Sequence, residues 1–170
     1  MSSLKVRLSE NFAGIIIKMK LDKIKWCLKQ NKGIRLVEPN NAISQDYLKE
    51  SQSDFDMIEK SNPKWKAVTA YYSSYNAVYA ILMKVGIKCE IHDCTIALME
   101  MLGFSKEEII FLDSLKKERV DVQYYLKSST LIIKREKVIQ FLSRCKEIIK
   151  EMNDNNINEI RKKVKQLINK

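Results

Sequence analysis

Glycine and proline are scarce, four and two in 170 residues. A many-stranded β fold needs turns at short intervals, and too few punctuating residues are present to build them. The glycines are scattered singly, so no Gly-rich loop exists to cradle a triphosphate, and P-loop nucleotide hydrolysis is excluded. No Ser-centred nucleophile elbow appears. Long apolar runs are missing too. The longest early stretch, Phe12 to Ile17, is broken by Lys18 and Lys20; it is too short for a bilayer and lacks a small-residue cleavage site. Four cysteines, Cys27, Cys89, Cys94 and Cys145, form no disulfide framework in a chain of this size. Together these absences predict a cytoplasmic protein without a membrane segment.

What is present suits a helical protein with its own core. Hydrophobic residues make up 45% of the chain, enough for one self-sufficient domain. The net charge of +10 is uneven. Residues 1–40 carry a net +6, residues 41–133 a net −2, and residues 134–170 a net +6. Two basic flanks thus bracket a near-neutral centre. They read either as Lys-rich solvated helix faces or as a surface for RNA, with Lys18, Lys25, Lys29, Lys162, Lys163 and Lys165 as the candidate contacts.

The strongest periodic signal runs from Pro63 to Val85. Asn62 can cap this helix, Pro63 suits its first position, and Gly86 can end it. Trp65, Val68, Tyr72, Tyr75, Tyr79 and Leu82 recur at spacings of three and four, predicting one aromatic face. Tyr71, Val78, Ile81 and Val85 widen the apolar surface, so the helix should be central. Its excess of tyrosine predicts a symmetric homodimer. A first helix is expected over about Glu10 to Asn31, with Ile17, Leu21, Ile24 and Leu28 buried. An extended link through Pro39 precedes a second helix over about Ser44 to Lys60, with Leu48, Phe55 and Ile58 inward. A helix from about Asp93 to Leu102, capped by Asp93, closes at Gly103. Ser105 and Glu108 form a capping box for a helix ending near Arg119, with Ile109, Ile110, Leu112 and Leu115 on it. Val120 to Thr130 reads equally as helix, strand or loop. Two further helices, Lys134 to Met152 and one holding Ile157, Ile160, Val164 and Leu167, complete the chain. The expected organisation is a basic helical extension (1–38), a bundle (39–152) and a basic C-terminal helix (153–170).

Few residues carry recognisable chemistry. Cys89, His92 and Cys94 place three possible metal ligands close together, but a structural zinc site needs a fourth, and Cys27 or Cys145 would have to supply it from far away; no metal or other cofactor is expected. His92 is the one histidine and so the default acid–base group, yet no local nucleophile or carboxylate orients it. Arg119, Asp121, Tyr124 and Tyr125 lie within one short stretch. The guanidinium can hold a phosphate and the phenol rings can stack on a base. The same residues can equally be an Arg–Asp pair fixing a turn, with the rings packed. Tyr72 and Tyr75 join Arg119, Tyr124 and Tyr125 as the candidate ligand-binding set.

Four stretches carry a resemblance: Leu36-Val37-Glu38-Pro39-Asn40 before Asp46-Tyr47-Leu48-Lys49; Ala70-Tyr71-Tyr72-Ser73-Ser74-Tyr75-Asn76-Ala77; Leu82-Met83-Lys84-Val85-Gly86-Ile87-Lys88 leading to His92; and Arg119-Val120-Asp121-Val122-Gln123-Tyr124-Tyr125. Across about Pro39 to Met152 the chain resembles the HEPN superfamily, small helical bundles of prokaryotic defence and toxin–antitoxin modules. The resemblance implies an all-α, antiparallel up-and-down bundle, usually dimeric, and a nucleotidyltransferase as a possible partner protein. Many members are metal-independent endoribonucleases, in which an Arg steadies the phosphate and a His four to six residues later works as acid or base. Arg119 matches that Arg, but Tyr124 stands where the His is expected and Val120 where a polar residue often follows. His92 lies 27 positions before Arg119, outside the pattern. The resemblance is therefore to a subgroup lacking the catalytic His. It implies a non-catalytic nucleotide- or nucleic-acid-binding module. The alternatives are an endoribonuclease with a modified site of Arg119, Asp121 and Tyr124, with His92 as a further candidate, and a dimerisation module without ligand.

Overall fold

The structure, a computed structural model, describes residues 21–128 and 132–168. Helices dominate it, as the low glycine and proline content predicts. They are α1 (described over 21–28), α2 (Asn41–Met57), α3 (Pro63–Val85), α4 (His92–Leu98), α5 (Lys106–Tyr124), α6 (Arg135–Glu151) and α7 (Asp154–Ile168). Two short strands, β1 (Arg35–Leu36) and β2 (Ile87–Lys88), pair antiparallel, with Arg35 opposite Lys88 and Leu36 opposite Ile87. The protein is an all-α helical bundle.

Local chemistry sets the helix ends. Asn62 Oδ1 accepts the Trp65 amide at 3.1 Å, and Pro63 opens α3. At the other end Gly86 adopts φ +77°, a conformation that costs a side-chain-bearing residue about 1–2 kcal/mol. Ser105 and Glu108 form the expected capping box: the Glu108 amide donates to Ser105 Oγ at 3.2 Å, and the Ser105 amide donates to Glu108 Oε2 at 2.7 Å. Asn40 caps α2 by accepting the Ile43 amide, so α2 starts three residues before Ser44 and ends at Met57 rather than Lys60. The link before it is extended because it is hydrogen-bonded. The Val37 amide donates to Gly86 O and the Asn40 amide to Met83 O, both at 2.9 Å.

The aromatic helix is the centre of the bundle. α3 packs against α2, α5, α6 and α7, and most of its residues are buried. Small residues let α2 lie close against it. Ser51 Oγ donates to Ser73 O at 2.7 Å while Ser73 Oγ donates to Ser51 O at 2.9 Å, satisfying both buried hydroxyls. All seven helices contribute to one hydrophobic core, including Ile24 and Cys27 of α1 and Ile160 and Val164 of α7. The segments outside 39–152 therefore share the bundle's core. Partners within the chain cover most of α3.

Several expectations are corrected. Trp65 is 48% exposed, so the buried face of α3 does not include it. Leu21, expected to be buried, is exposed. Asp93 does not cap α4; the cap is Ile91, without a side-chain bond, and Asp93 sits in the first turn. Helix α4 ends at Leu98, with turns continuing to Gly103. Helix α5 does not stop near Arg119. It continues to Tyr124 because Val122 is buried against Ala67 and Val68 of α3. Ile17, Lys18 and the start of the first helix lie outside the described residues.

The cysteine expectation is also corrected. Cys27 of α1 and Cys94 of α4, 67 positions apart, are joined by a disulfide. Cys89 and Cys145 are free and buried. The cysteines therefore give no argument for a reducing compartment. Among the described residues, no helix is long and apolar enough to cross a membrane.

Candidate functional site

Burial of Val122 extends α5 by more than a turn and carries Arg119 onto the side facing α3. There the guanidinium meets phenols. Arg119 Nη2 donates to Tyr72 Oη at 2.7 Å and to Tyr124 Oη at 3.2 Å. Its carbon centre lies 5.2 Å from the Tyr72 and Tyr124 ring centroids and 5.6 Å from that of Tyr71, within cation–π range. No carboxylate pairs with it among the described residues, and Nε is buried without a hydrogen-bond partner. Among the described residues the guanidinium is held by neutral phenols, which leave its positive charge for an incoming anion.

The fold brings His92 to the same rings. It opens α4 after the β2 connection. Its imidazole stacks on Tyr75 at 4.3 Å between centroids and lies edge-on to Tyr72 at 6.3 Å. Its Nδ1 is 2.5 Å from Tyr71 Oη. Burial, then the charges of Arg119 and Lys116, lower the His92 pKa below its ordinary 6.5, against an opposing pull from Asp93. Burial, then neighbouring Tyr75, raises the Tyr71 phenol far above its ordinary range. Tyr71 therefore stays protonated at neutral pH and can donate to Nδ1. With Nδ1–H the imidazole can equally donate to the phenol oxygen, so the contact fixes the pairing of Tyr71 and His92 in either tautomer.

Of the residues proposed from sequence, the structure gathers Arg119, Tyr124, Tyr72, Tyr75 and His92. It leaves two out. Asp121 points elsewhere on α5, its carboxylate 2.7 Å from Lys127 Nζ, so neither an Arg119–Asp121 pair nor a site containing both exists. Residues two apart on a helix face different ways. Tyr125 is exposed, with Lys127 over its ring rather than Arg119. Cys94 is spent in the disulfide, and no metal-holding cluster occurs among the described residues. Lys162, Lys163 and Lys165 are exposed on α7, Lys29 is exposed after α1, Lys25 is half-buried, and Lys18 lies outside the described residues.

Sequence reasoning missed Tyr71 as a site residue, reading it as core filler; it is fully buried and still supplies the hydroxyl that fixes His92. Lys116 and Asp93, an ion pair beside His92, were missed as well, because 23 positions separate them. Tyr72 and Tyr75 also form part of the wall of a shallow groove of about 240 Å³, completed by Tyr47, Asn76, Tyr79, Cys89 and Glu90. Compared with known proteins, the sequence matches no family model and no curated protein.

Proposed function

We propose that the chain is a non-catalytic binding module for nucleotide or nucleic acid, with Arg119 as its phosphate contact. One observation carries this reading: the guanidinium is fixed by two phenol hydroxyls and has no carboxylate partner among the described residues. The exposed ring of Tyr124 beside it offers a stacking face. The exposed lysines of α7 add the sequence-independent part of the attraction. Membership of a toxin–antitoxin or defence system, a homodimeric state and a nucleotidyltransferase partner belong to the same proposal and rest on the HEPN resemblance alone.

A second reading, a metal-independent endoribonuclease, is favoured by the packing of His92 on the rings that hold Arg119. Two features weigh against it. Tyr71 engages His92 Nδ1, and a tyrosine, Tyr124, stands where the resemblance expects the acid–base histidine. One experiment tests both readings. A labelled single-stranded RNA is titrated with wild type and Arg119→Ala at low salt, and the same samples are followed for cleavage in a chelating buffer. Binding that weakens in Arg119→Ala, without cleavage, is expected. Cleavage by wild type that disappears in both Arg119→Ala and His92→Ala establishes the ribonuclease. Absence of binding and cleavage leaves a dimerisation module.

A further inference from the structure

Two contacts fix how α3 and α5 lie together. Tyr72 meets Arg119, and a turn away Ala67 and Val68 meet Val122, so the helices run antiparallel. Continued by one more turn, that register sets Trp65 of α3 level with the end of α5, where Tyr124, Tyr125 and Leu126 stand. All four residues are exposed. Leu126 adopts φ +52°, a left-handed conformation unusual for leucine. Lys127 closes the turn around it: its amide donates to Asp121 O at 3.2 Å and its ammonium to Asp121 Oδ1 at 2.7 Å. The two tyrosines thus stand at the open edge of a built turn.

Rings and cations alternate along this edge. Arg119 lies 5.2 Å from the Tyr124 ring centroid, and Lys127 lies 5.6 Å from that of Tyr125. Neither ring packs on another aromatic side chain among the described residues, and each is open to solvent. Trp65 stands between Lys64 and Lys66 in the sequence, and Lys60 precedes it in the turn before α3. Lys66 pairs with Glu59 at 3.8 Å, whereas Lys60 and Lys64 make no ion pair among the described residues. Residues 56–66 and 119–127 together carry five cations against three carboxylates, so the edge attracts anions.

A ring with a cation beside it is the complement of one nucleotide: the base stacks on the ring and the phosphate meets the cation. Repeated along an edge, the unit fits a chain of nucleotides whose bases are unpaired. A duplex hides those faces inside its own stack. We infer that this end of the bundle is a stacking surface for single-stranded RNA, with bases on Tyr124, Tyr125 and Trp65 and the backbone on Arg119 and the lysines. Little base preference follows, because every base has a flat face. This deepens the proposed function and rests on its reading of nucleic acid as the ligand, with Arg119 as a phosphate contact.

The test is fluorescence anisotropy of a labelled oligouridylate of about eight nucleotides, a length that a small domain can cover, titrated with the full chain at low salt. The same strand annealed to its complement is the comparison. The single strand should bind roughly tenfold or more tightly than the duplex, which forfeits the stacking. Trp65→Ala and Tyr125→Ala should each weaken the single strand roughly five- to a hundredfold and leave the duplex unchanged. Both side chains are exposed, and either variant decides should the other misfold. In Trp26→Phe, where Trp65 is the one tryptophan left, the single strand should quench the fluorescence and the duplex should not. Arg119→Ala should weaken both forms. Equal affinity for the two forms, or single-strand binding indifferent to Trp65→Ala and Tyr125→Ala, overturns the stacking surface and leaves the phosphate contact standing. A single-strand preference lost in Trp65→Ala but untouched by Arg119→Ala keeps the surface and overturns the phosphate contact. Absence of RNA binding, with sedimentation on phosphatidylserine vesicles that Trp65→Ala abolishes, assigns the edge to a membrane and overturns both.

Discussion

His92 and Arg119, 27 positions apart in the chain, converge on one pair of rings: His92 bonds Tyr71 and lies edge-on to Tyr72, while Arg119 bonds Tyr72 and sits over Tyr71. Helix α3 supplies both tyrosines, so its central packing sets the spacing of the two basic groups. The cluster sets a guanidinium beside an imidazole whose pKa is lowered by burial and then by the charges of Arg119 and Lys116.

The His92 proton should report this environment. Its lowered pKa makes the native state bind fewer protons than the unfolded chain between the folded pKa and 6.5. Stability from this group is therefore complete above pH 6.5 and falls as pH drops through that window. NMR titration of the imidazole should give a midpoint below 6.5, and His92→Phe should flatten the acid limb of a stability–pH curve. A midpoint at or above 6.5 in the folded protein would contradict the described burial.

Tyr124 sits where a histidine would restore the Arg-to-His spacing, with its hydroxyl 3.2 Å from Arg119 Nη2. Tyr124→His thus places an imidazole next to the guanidinium without requiring α5 to change course. Weak metal-free RNA cleavage by this variant, absent in wild type and in Tyr124→His/Arg119→Ala, is the expected outcome. Supplying a general acid–base group is worth about a hundredfold to ten-thousandfold in rate, which a gel assay detects readily.

Gly86 and Arg161 make a structural prediction. Arg161 Nη1 donates to Val37 O at 2.7 Å, Gly86 O at 2.9 Å and Val85 O at 3.0 Å, so the last helix ties the end of α3 to the link before α2. A Cβ on Gly86 would lie 2.5 Å from Val37 O and against the Arg161 guanidinium. Gly86→Ala should therefore cost more than the roughly 1–2 kcal/mol of the left-handed backbone alone. Arg161→Met should cost roughly 1.5–3 kcal/mol, the scale of charge-assisted hydrogen bonds. Urea unfolding measures both; a loss under about 0.5 kcal/mol, the scale of an ordinary surface substitution, would refute the assignment.

Reduction should destabilise the protein. By the chain-entropy relation, a bond closing a loop of 67 residues contributes roughly 4 kcal/mol. Wild type in dithiothreitol and Cys27→Ser without it should unfold at similarly lowered denaturant midpoints. Equal midpoints for oxidised and reduced wild type would show that the bond adds nothing.

Features written in neighbouring residues were legible in the sequence. Asn62, Pro63 and Gly86 bound α3, and Ser105 with Glu108 start α5, because each signal spans one turn of helix. Features made by tertiary contact were not. The end of α5 depends on Val122 finding Ala67 and Val68. The β1–β2 pair joins two dipeptides more than fifty positions apart, each too short to show a period. Of the site, the sequence singled out Arg119, Tyr124, Tyr72 and Tyr75, and it named His92 without a companion. The meeting of His92 with Arg119 is invisible to any linear spacing rule, since it passes through the stacked faces of α3. Asp121 was misplaced for the opposite reason: closeness in sequence on a helix separates faces.

The Cys27–Cys94 bond also changes what a broken backbone would mean. It closes a covalent ring that contains all of α2 and α3. A single protease cut between residues 28 and 93, in the 58–62 turn for instance, opens that ring without releasing a fragment. The nicked molecule gains one water, keeps its two pieces tethered, and migrates as two bands only after a reductant is added. The aromatic hairpin that carries Tyr71, Tyr72 and Tyr75 is thus insured against the loss of any one peptide bond around it.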